Sequence, residues 1–369
     1  MFDAKGNPDL TWETSKQTQV GVEATFGDYL DVNIDYYVKD TDDQLFERRV
    51  APSVGYAILN VNDGKLRNQG LEFSLTGHII NTQDAFLDVT LNGEFVKNKM
   101  VEMPIEPATG APKVIDLAGY YGRAEGHSIY DFYLREWAGV DPETGVANWN
   151  MYYHDANGNG VFDEGDQRIS SMQEFVAANP DAANSIGQTT TTTYSQATQK
   201  FVGKSAIPDV RGAFNLSAGY KGFTLSTQFL YQLGGYAYDF SYASLMHNDV
   251  IGGSNWHQDI LNRWQQPGDI TDVPRLSNNI DKNVSSSSTR FLTKSDYLAL
   301  NNVRLGYDLP TNFVENIGLS YANIFVSGDN LMLLSERKGF NPSVHIAGES
   351  DWYTYSPLST VTAGVRVRF

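Results

Sequence analysis

The sequence predicts an all-β fold, a transmembrane antiparallel β-barrel with long extracellular loops. One observation is alternation: between residues 360 and 369 every second side chain is apolar, and the residues between them are polar, small or basic. This is the period of a strand whose two faces differ. A second observation is length, because such segments run to about ten residues, whereas strands in soluble sheets most often have about five or six. Long strands with one apolar and one polar face are typical of outer-membrane barrels.

About nine segments of the chain carry this alternating pattern. They are residues 17–26, 29–39, 70–78, 87–95, 214–220, 225–231, 297–309, 319–330 and 360–369. Gly27-Asp28 separates the first two of these segments by only two residues, and Lys221-Gly222 lies at the turn between segments 214–220 and 225–231. Two alternating segments joined by a two-residue turn predict a β-hairpin.

The connections between the segments alternate between short and long along the chain. Because barrel strands are joined by short periplasmic turns and long external loops, we expect the last strand to end with Phe369 on the periplasmic side. Nine is an odd number, whereas bacterial single-chain barrels have an even number of strands. The sequence therefore predicts the carboxy-terminal part of a larger barrel. The longest connection, residues 99–208, is expected to be a large extracellular loop region with possible strands near 129–140 and 146–153.

Composition excludes several other classes of protein. No apolar run approaches the length of a transmembrane helix. The net charge of −17 argues against a nucleic-acid partner, and the absence of cysteine excludes disulfides and thiolate metal sites. The six histidines are scattered and match no catalytic motif, so we expect no enzyme activity. No basic and apolar leader follows Met1, in keeping with a portion of a longer protein.

Several motifs resemble those of one family. The segment 297–310, YLALNNVRLGYDLP, is similar to the strand near the end of SusC-like (SusC/RagA-type) TonB-dependent outer-membrane transporters. The segment 7–13, NPDLTWE, resembles the family's approach to a mid-barrel strand, and 68–72, NQGLE, resembles the approach to a later one. A loop segment at 263–275, RWQQPGDITDVPR, is also similar to the family's pattern.

The resemblance implies a location and a set of partners. The chain is expected to lie in the outer membrane of a Gram-negative cell, as part of a plugged barrel of about twenty-two strands. The plug and the amino-terminal strands are expected to be absent from this chain, and the TonB complex to act through that absent part. A SusD-like surface lipoprotein is the expected lid, and the expected cargo is an oligosaccharide or a peptide.

The segment 155–166, DANGNGVFDEGD, has the spacing of a calcium-binding loop. Its oxygen-bearing side chains fall at loop positions 1, 3, 5, 9 and 12, the carbonyl of position 7 is a further ligand, and Gly160 stands at the sharp turn of position 6. The predicted ligands are Asp155, Asn157, Asn159, Val161, Asp163 and Asp166. The SusC-like family has a similar segment here. The alternative is an Asn-Gly turn with solvated acidic side chains, and Asp166 replaces the usual glutamate, which makes bidentate binding less certain.

Four loop tryptophans are candidate substrate-binding residues, because indole rings stack on sugars and peptides. They are Trp149, Trp256, Trp264 and Trp352. The alternative is that these rings pack the loops together.

Two other hypotheses fit the same pattern. One is a self-contained smaller barrel or porin, and the other is a secreted calcium-dependent glycan-binding β-protein. The apolar side chains of the strands discriminate between them, because a soluble fold has to cover them and a membrane barrel leaves them uncovered.

Overall fold

The computed structural model describes residues 6–49, 58–106, 109–344 and 355–369. Within these residues, nine antiparallel strands form one sheet in which the strands lie side by side in chain order. These wall strands are β1 (Thr14–Phe26), β2 (Leu30–Asp42), β3 (Lys65–Asn81), β4 (Ala85–Glu102), β5 (Val210–Tyr220), β6 (Phe223–Leu233), β7 (Tyr297–Asp308), β8 (Tyr321–Ser335) and β9 (Thr360–Arg368). All nine predicted strands are therefore present in the described part of the chain.

The register of the sheet places side chains of one kind next to each other. One row has a polar residue in every wall strand. It consists of Thr25, Asp31, Thr76, Thr90, Asn215, Gln228, Asn302, Asp329 and Thr360. The next row lies on the opposite face, since successive residues of a strand point to opposite sides. That row is apolar in eight strands and consists of Ala24, Val32, Leu75, Leu91, Phe214, Phe229, Leu300 and Met332.

We call these two surfaces the polar face and the apolar face of the wall. Large side chains of the apolar face stay uncovered in the described structure: Val22 is 61% exposed, Phe95 47% and Val326 50%. Rings also cluster on this face at the turn between β5 and β6, where Phe223 and Tyr307 pack with their centroids 4.5 Å apart. An uncovered apolar face contradicts the hypothesis of a secreted glycan-binding β-protein, because a soluble fold would have to bury this face.

Several strands are longer than the alternation predicts, most of all β3 and β4. The segment predicted as 70–78 belongs to the 17-residue strand β3, and the one predicted as 87–95 belongs to the 18-residue strand β4. Beyond the predicted ends, the apolar face carries polar residues such as Arg67 and Lys97, so hydrophobic alternation stops while backbone pairing continues.

Short and long connections lie at opposite ends of the wall, because the strands alternate in direction. The short ones are residues 27–29, 82–84, 221–222 and 309–320, the last of which contains helix Thr311–Asn316. The long ones are residues 43–64, 103–209, 234–296 and 336–359. The predicted alternation of short and long connections is confirmed for the described strands.

The long connections contain short strands and helices that pack into what we call the loop body. Its strands are Leu45–Arg49, Ile58–Asn62, Asp116–Ala118, Tyr121–Arg123, Asp131–Arg135, Trp137–Val140, Ala147–His154, Gln167–Ile169, Ile186–Thr191, Gln199–Ser205, Tyr236–Tyr238 and Leu292–Lys294. Its helices are Met172–Ala178 and Phe240–Leu245, with 3₁₀ turns at Pro180–Ser185, Tyr194–Gln196, Gln258–Asn262, Lys282–Ser285, Thr289–Phe291 and Pro342–Val344. The strands predicted near 129–140 and 146–153 pair with other loop strands and not with the wall. In the described residues, no helix has the length and apolar character needed to cross a membrane.

The main core of the loop body is shared by the two longest connections. Phe132 and Leu134 from the first connection pack with Tyr238, Met246 and Phe291 from the second, and all five are at most 2% exposed. The two loops are therefore one packed unit and not independent excursions.

Candidate functional site: the polar face and the loop body

The polar row of the wall is held together by hydrogen bonds between strands. The Thr25 hydroxyl donates to Asp31 over 2.8 Å, the hydroxyls of Thr76 and Thr90 lie 2.9 Å apart, and the Asn302 amide donates to Asp329 over 2.6 Å. Because these polar side chains already have hydrogen-bond partners, the face can border water or a polar ligand without leaving an unpaired polar group.

Carboxylates are concentrated on the polar face of the first strands of the wall. Asp35, Glu72 and Glu94 stand side by side on β2, β3 and β4, and Arg211 of β5 pairs with Glu94. His78 of β3 lies between two further carboxylates. Its ring nitrogens lie 2.7 Å from an oxygen of Asp88 and 3.1 Å from one of Asp31.

The other side of the wall carries three arginines together with the carboxylates of Asp308 and Asp329. Arg304, Arg366 and Arg368 are on the polar face of β7 and β9. The Arg304 guanidinium lies 3.9 Å from the centroid of the Phe325 ring, a cation–π contact that holds it against the wall. The polar face therefore carries mainly carboxylates on β2 to β4 and both arginines and carboxylates on β7 to β9.

Asp239 and Arg337 connect two long loops of the loop body. Asp239 is 1% exposed, pairs with Arg337, and accepts a hydrogen bond from the Tyr242 backbone N–H, which caps helix Phe240–Leu245. Arg337 also lies 4.4 Å from the centroid of the Tyr242 ring. Burial, reinforced by the hydrogen bond that Tyr242 donates to Asp259, raises the pKa of Tyr242 to about 12. The hydroxyl therefore stays protonated and remains a donor at physiological pH.

The loop at 155–166 is folded around the carboxylate of Asp155. The carboxylate of Asp155 accepts hydrogen bonds from the backbone N–H groups of Gly158, Asn159 and Gly160 at 2.7, 3.2 and 2.8 Å. Gly160, at the position of the sharp turn, has φ of +76°. The side chain of Asp166 closes the loop by accepting from the backbone N–H groups of Ala156 and Asp163.

The predicted ligands of this loop converge on one another. Asn157 and Asn159 both donate from their side-chain amides to the carboxylate of Asp163, at 3.1 and 2.6 Å. In the described residues, no three side chains of His, Asp or Glu lie close enough to form a metal site by themselves. A calcium loop also uses amide and carbonyl oxygens, so the residues present, including the Val161 carbonyl, fit this ion. The calcium assignment stays a prediction.

The predicted substrate-binding tryptophans occupy different environments. Trp149 is 3% exposed and packs edge-on against Trp137 and Tyr194, so a substrate can reach its ring only if the loops around it move. Trp256 is half-buried, stacks on His247 and donates its indole N–H to the His247 carbonyl.

Trp264 is also half-buried, and it packs on Gly145, where an added Cβ would lie 2.4 Å from the indole ring. Its indole N–H donates to the Pro142 carbonyl. Trp352 lies outside the described residues. The structure does not bring the three described tryptophans together, and their role in binding stays a prediction.

Two sets of functional residues are not evident from the sequence. The pair Asp239–Arg337 and the pair Glu94–Arg211 join residues 98 and 117 positions apart. No local motif marks either pair. The only available signal for the second pair is the alternation of β4 and β5, which predicts that both side chains lie on the polar face.

A sequence model described as "TonB dependent receptor-like, beta-barrel" matches residues 1–159. "TonB-dependent receptor P3" of Formosa agariphila is 29% identical over 98% of this chain. "TonB-dependent receptor SusC" of Bacteroides thetaiotaomicron is 22% identical, also over 98% of the chain. The chain is therefore similar to TonB-dependent receptors over nearly its whole length. The SusC-type resemblance and the all-β barrel fold predicted from the sequence are thereby confirmed.

Solved structures of the family share this fold over the whole chain. The RagAB peptide importer in its "closed-closed" state matches with a TM-score of 0.77 at 24% identity, and in its "open-open" state with a TM-score of 0.76 at 25% identity. Each match covers 100% of this chain and 36% of the importer chain. The curated relatives are likewise matched over only 35% and 32% of their lengths. The chain thus spans about a third of the TonB-dependent receptors that it resembles.

Proposed function

We propose that this chain forms part of the wall and the extracellular vestibule of an outer-membrane transporter that imports oligosaccharides or peptides. In this proposal the apolar face contacts outer-membrane lipid, the polar face borders the lumen, and the loop body faces the cell exterior. A SusD-like lipoprotein covers the loop body, and the TonB complex drives uptake through parts of the transporter outside this chain.

The observation that carries the proposal is the contrast between the two faces of the wall. A polar row across nine strands lies next to an apolar row across eight. A membrane barrel needs this contrast, because lipid-facing and lumen-facing residues alternate along each strand. The similarity to TonB-dependent receptors favours active uptake over the passive flow of a porin.

The structure of the loop body favours a role in cargo capture over a role in passive flow. Its two longest connections share one buried core, so the loops form a fixed surface at the mouth of the wall. The paired charges of the polar face suit a cargo with polar or charged groups, and the related RagAB protein is a peptide importer.

The proposal is tested by purifying the complete transporter from native outer membranes and identifying by mass spectrometry what is bound to it. We expect a surface lipoprotein in about equal amount, together with peptides or oligosaccharides released on denaturation. Uptake of that cargo should stop when the proton motive force is collapsed. A transporter that carries no lipoprotein and passes small solutes regardless of the proton motive force would instead be a porin.

We further propose that the loop at 155–166 binds Ca²⁺ and that Asp155 is a ligand. The test is titration of the purified transporter with Ca²⁺ by calorimetry, comparing Asp155→Ala with Glu164→Ala. Both variants remove one carboxylate, but Glu164 is exposed and lies outside the ligand positions. We expect binding in the range of about 10⁻⁴ to 10⁻³ M for the parent and Glu164→Ala, and none for Asp155→Ala. Equal binding by both variants would mean that the loop is a solvated turn.

A further inference from the structure

Above its apolar band, the apolar face of β3 and β4 becomes basic. Leu71 of β3 stands opposite Phe95 of β4, and the next pairs toward the loop body are Gln69 with Lys97 and Arg67 with Lys99. Phe95, Lys97 and Lys99 are exposed, while Asn98 and Met100, on the other face, are half-buried or buried. The two lysines therefore point to the same side as the apolar band.

The height of the apolar band places these lysines at its upper edge. On β4 the apolar residues of this face run from Leu87 to Phe95. Eight residues at about 3.4 Å each span about 27 Å along the strand, and a tilt of about 40° reduces this to about 21 Å in height. The apolar band of outer-membrane barrels is about 25 Å tall. Lys97 and Lys99 thus begin where the hydrocarbon region ends, on the side of the long loops.

A cleft lies beside these residues. It has a volume of about 720 Å³, and its lining includes Phe95, Lys97, Lys99 and Arg67 from the wall, with Ile207 and Pro208 from the end of the long connection. The cleft exists because β4 pairs with β5 only up to Glu94, so the upper part of β4 has no wall strand on that side. One part of its lining is basic and another part is apolar.

The basic groups of the cleft lack a full set of partners. Lys99 stands directly opposite Arg67, and like charges in this arrangement repel each other. Arg67 makes two hydrogen bonds to Asp40, at 2.7 and 2.8 Å. Across the described residues, neither Lys97 nor Lys99 forms an ion pair.

Two carboxylates also line the cleft, and both are directed elsewhere. Asp131 accepts hydrogen bonds from the Ser128 backbone N–H, and it lies 3.3 Å from the His127 ring. Asp209 packs over Gly234, where an added Cβ would lie 2.1 Å from its carboxylate oxygen. The lysine pair is therefore the part of the cleft that is available to an anion.

We propose that this cleft binds the phosphate-bearing headgroup of a lipid in the extracellular leaflet. Lys97 and Lys99 bind the phosphate, and an acyl chain follows Phe95 and Leu71 down the apolar face. The inference rests on the proposed membrane location of the wall. A free phosphate ion would use the same lysines but would gain nothing from the apolar residues below them.

The test uses the complete transporter, delipidated and inserted in nanodiscs of uncharged lipid, and a fluorescent bisphosphorylated lipid A as the probe. The variant is Lys97→Gln/Lys99→Gln, and Lys221→Gln at the opposite end of the wall is the matched control. Each basic residue near an anionic lipid surface contributes about fivefold to affinity, so we expect binding about 25-fold weaker in the double variant. The control should bind like the parent. A second variant, Lys97→Arg/Lys99→Arg, should keep most of the affinity because it keeps the charge.

Equal affinity of the parent and the Gln variant would overturn the proposal, as would equal affinity of the parent for a dephosphorylated lipid A. Displacement of the probe by the same concentration of inorganic phosphate would also overturn it, because the site would then belong to the free ion. A parent transporter that inserts in nanodiscs but binds no lipid A contradicts this inference alone. A parent that does not insert contradicts the proposed function as well.

Discussion

The wall and the loop body are built from the same chain by different rules. In the wall, each strand pairs with its chain neighbour and every side chain belongs to one of two faces, so position along the strand decides its environment. In the loop body, environment depends on contacts between segments far apart in sequence, such as Phe132 with Phe291. In the wall, the effect of a substitution on assembly should therefore alternate from one residue to the next. In the loop body, the effect should depend on whether the side chain is buried or paired.

The largest effect should come from charging the apolar face. Val89→Arg places a cation on the apolar face of β4, at a cost of about 2–4 kcal/mol near the bilayer midplane, and should block assembly. Thr90→Arg, one residue away on the polar face, should assemble. The measurement is the amount of heat-modifiable transporter in purified outer membranes. Equal assembly of the two variants would remove the distinction between the faces.

A somewhat smaller effect should come from breaking the buried pair of the loop body. Asp239→Ala removes the partner of Arg337 and the cap of helix Phe240–Leu245, and we expect a local loss of about 3 kcal/mol. The loops should then exchange amide hydrogens faster and be cleaved sooner by protease, while the wall stays intact. The control is Asp249→Ala, whose side chain is 61% exposed. If the two variants have the same exchange rates, the pair does not hold the loops together.

The smallest effect should come from adding one methyl group to the wall. A Cβ on Gly212 would lie 2.0 Å from the backbone carbonyl oxygen of Asn92, so the two strands would have to separate. A Cβ on Gly77 would lie 3.4 Å from the end of the Ile79 side chain and 3.9 Å from the Val89 carbonyl oxygen, which are ordinary contact distances. We expect Gly212→Ala to lower the stability of the barrel by about 1–3 kcal/mol and Gly77→Ala to leave it unchanged. Thermal unfolding followed by gel mobility compares them, and similar midpoints would argue against tight packing of β4 on β5.

The sequence was sufficient for the wall because the information there is local. Alternation located all nine strands, and its largest error in their bounds is at the upper ends of β3 and β4, where Arg67, Lys97 and Lys99 place polar residues on both faces. Hydrophobic alternation cannot reveal strand residues where both faces are polar, although the backbone there pairs as it does in the rest of the strand.

The candidate site could be predicted only in part. The loop at 155–166 could be proposed as a calcium site because its candidate ligands are close in sequence. The structure gives Gly160 a positive φ, and ion binding stays a prediction. Trp149 looked like a loop aromatic available to cargo, but it packs in a core that includes Val284, more than a hundred residues away. Contacts of that kind leave no local pattern, so neither this core nor the pair Asp239–Arg337 could be predicted.

The central claim is that alternate residues of each wall strand face lipid and lumen, and spin labelling along β4 tests it most directly. The chain contains no cysteine, so single cysteines introduced from Leu87 to Lys99 can each carry one label. In the complete transporter in bilayers, we expect odd-numbered positions up to Phe95 to be accessible to oxygen dissolved in lipid. Even-numbered positions should be accessible to a water-soluble nickel complex or shielded from both reagents. At Lys97 and Lys99 the oxygen accessibility should fall as the strand leaves the membrane. A profile without a period of two, or the opposite phase, would contradict the account.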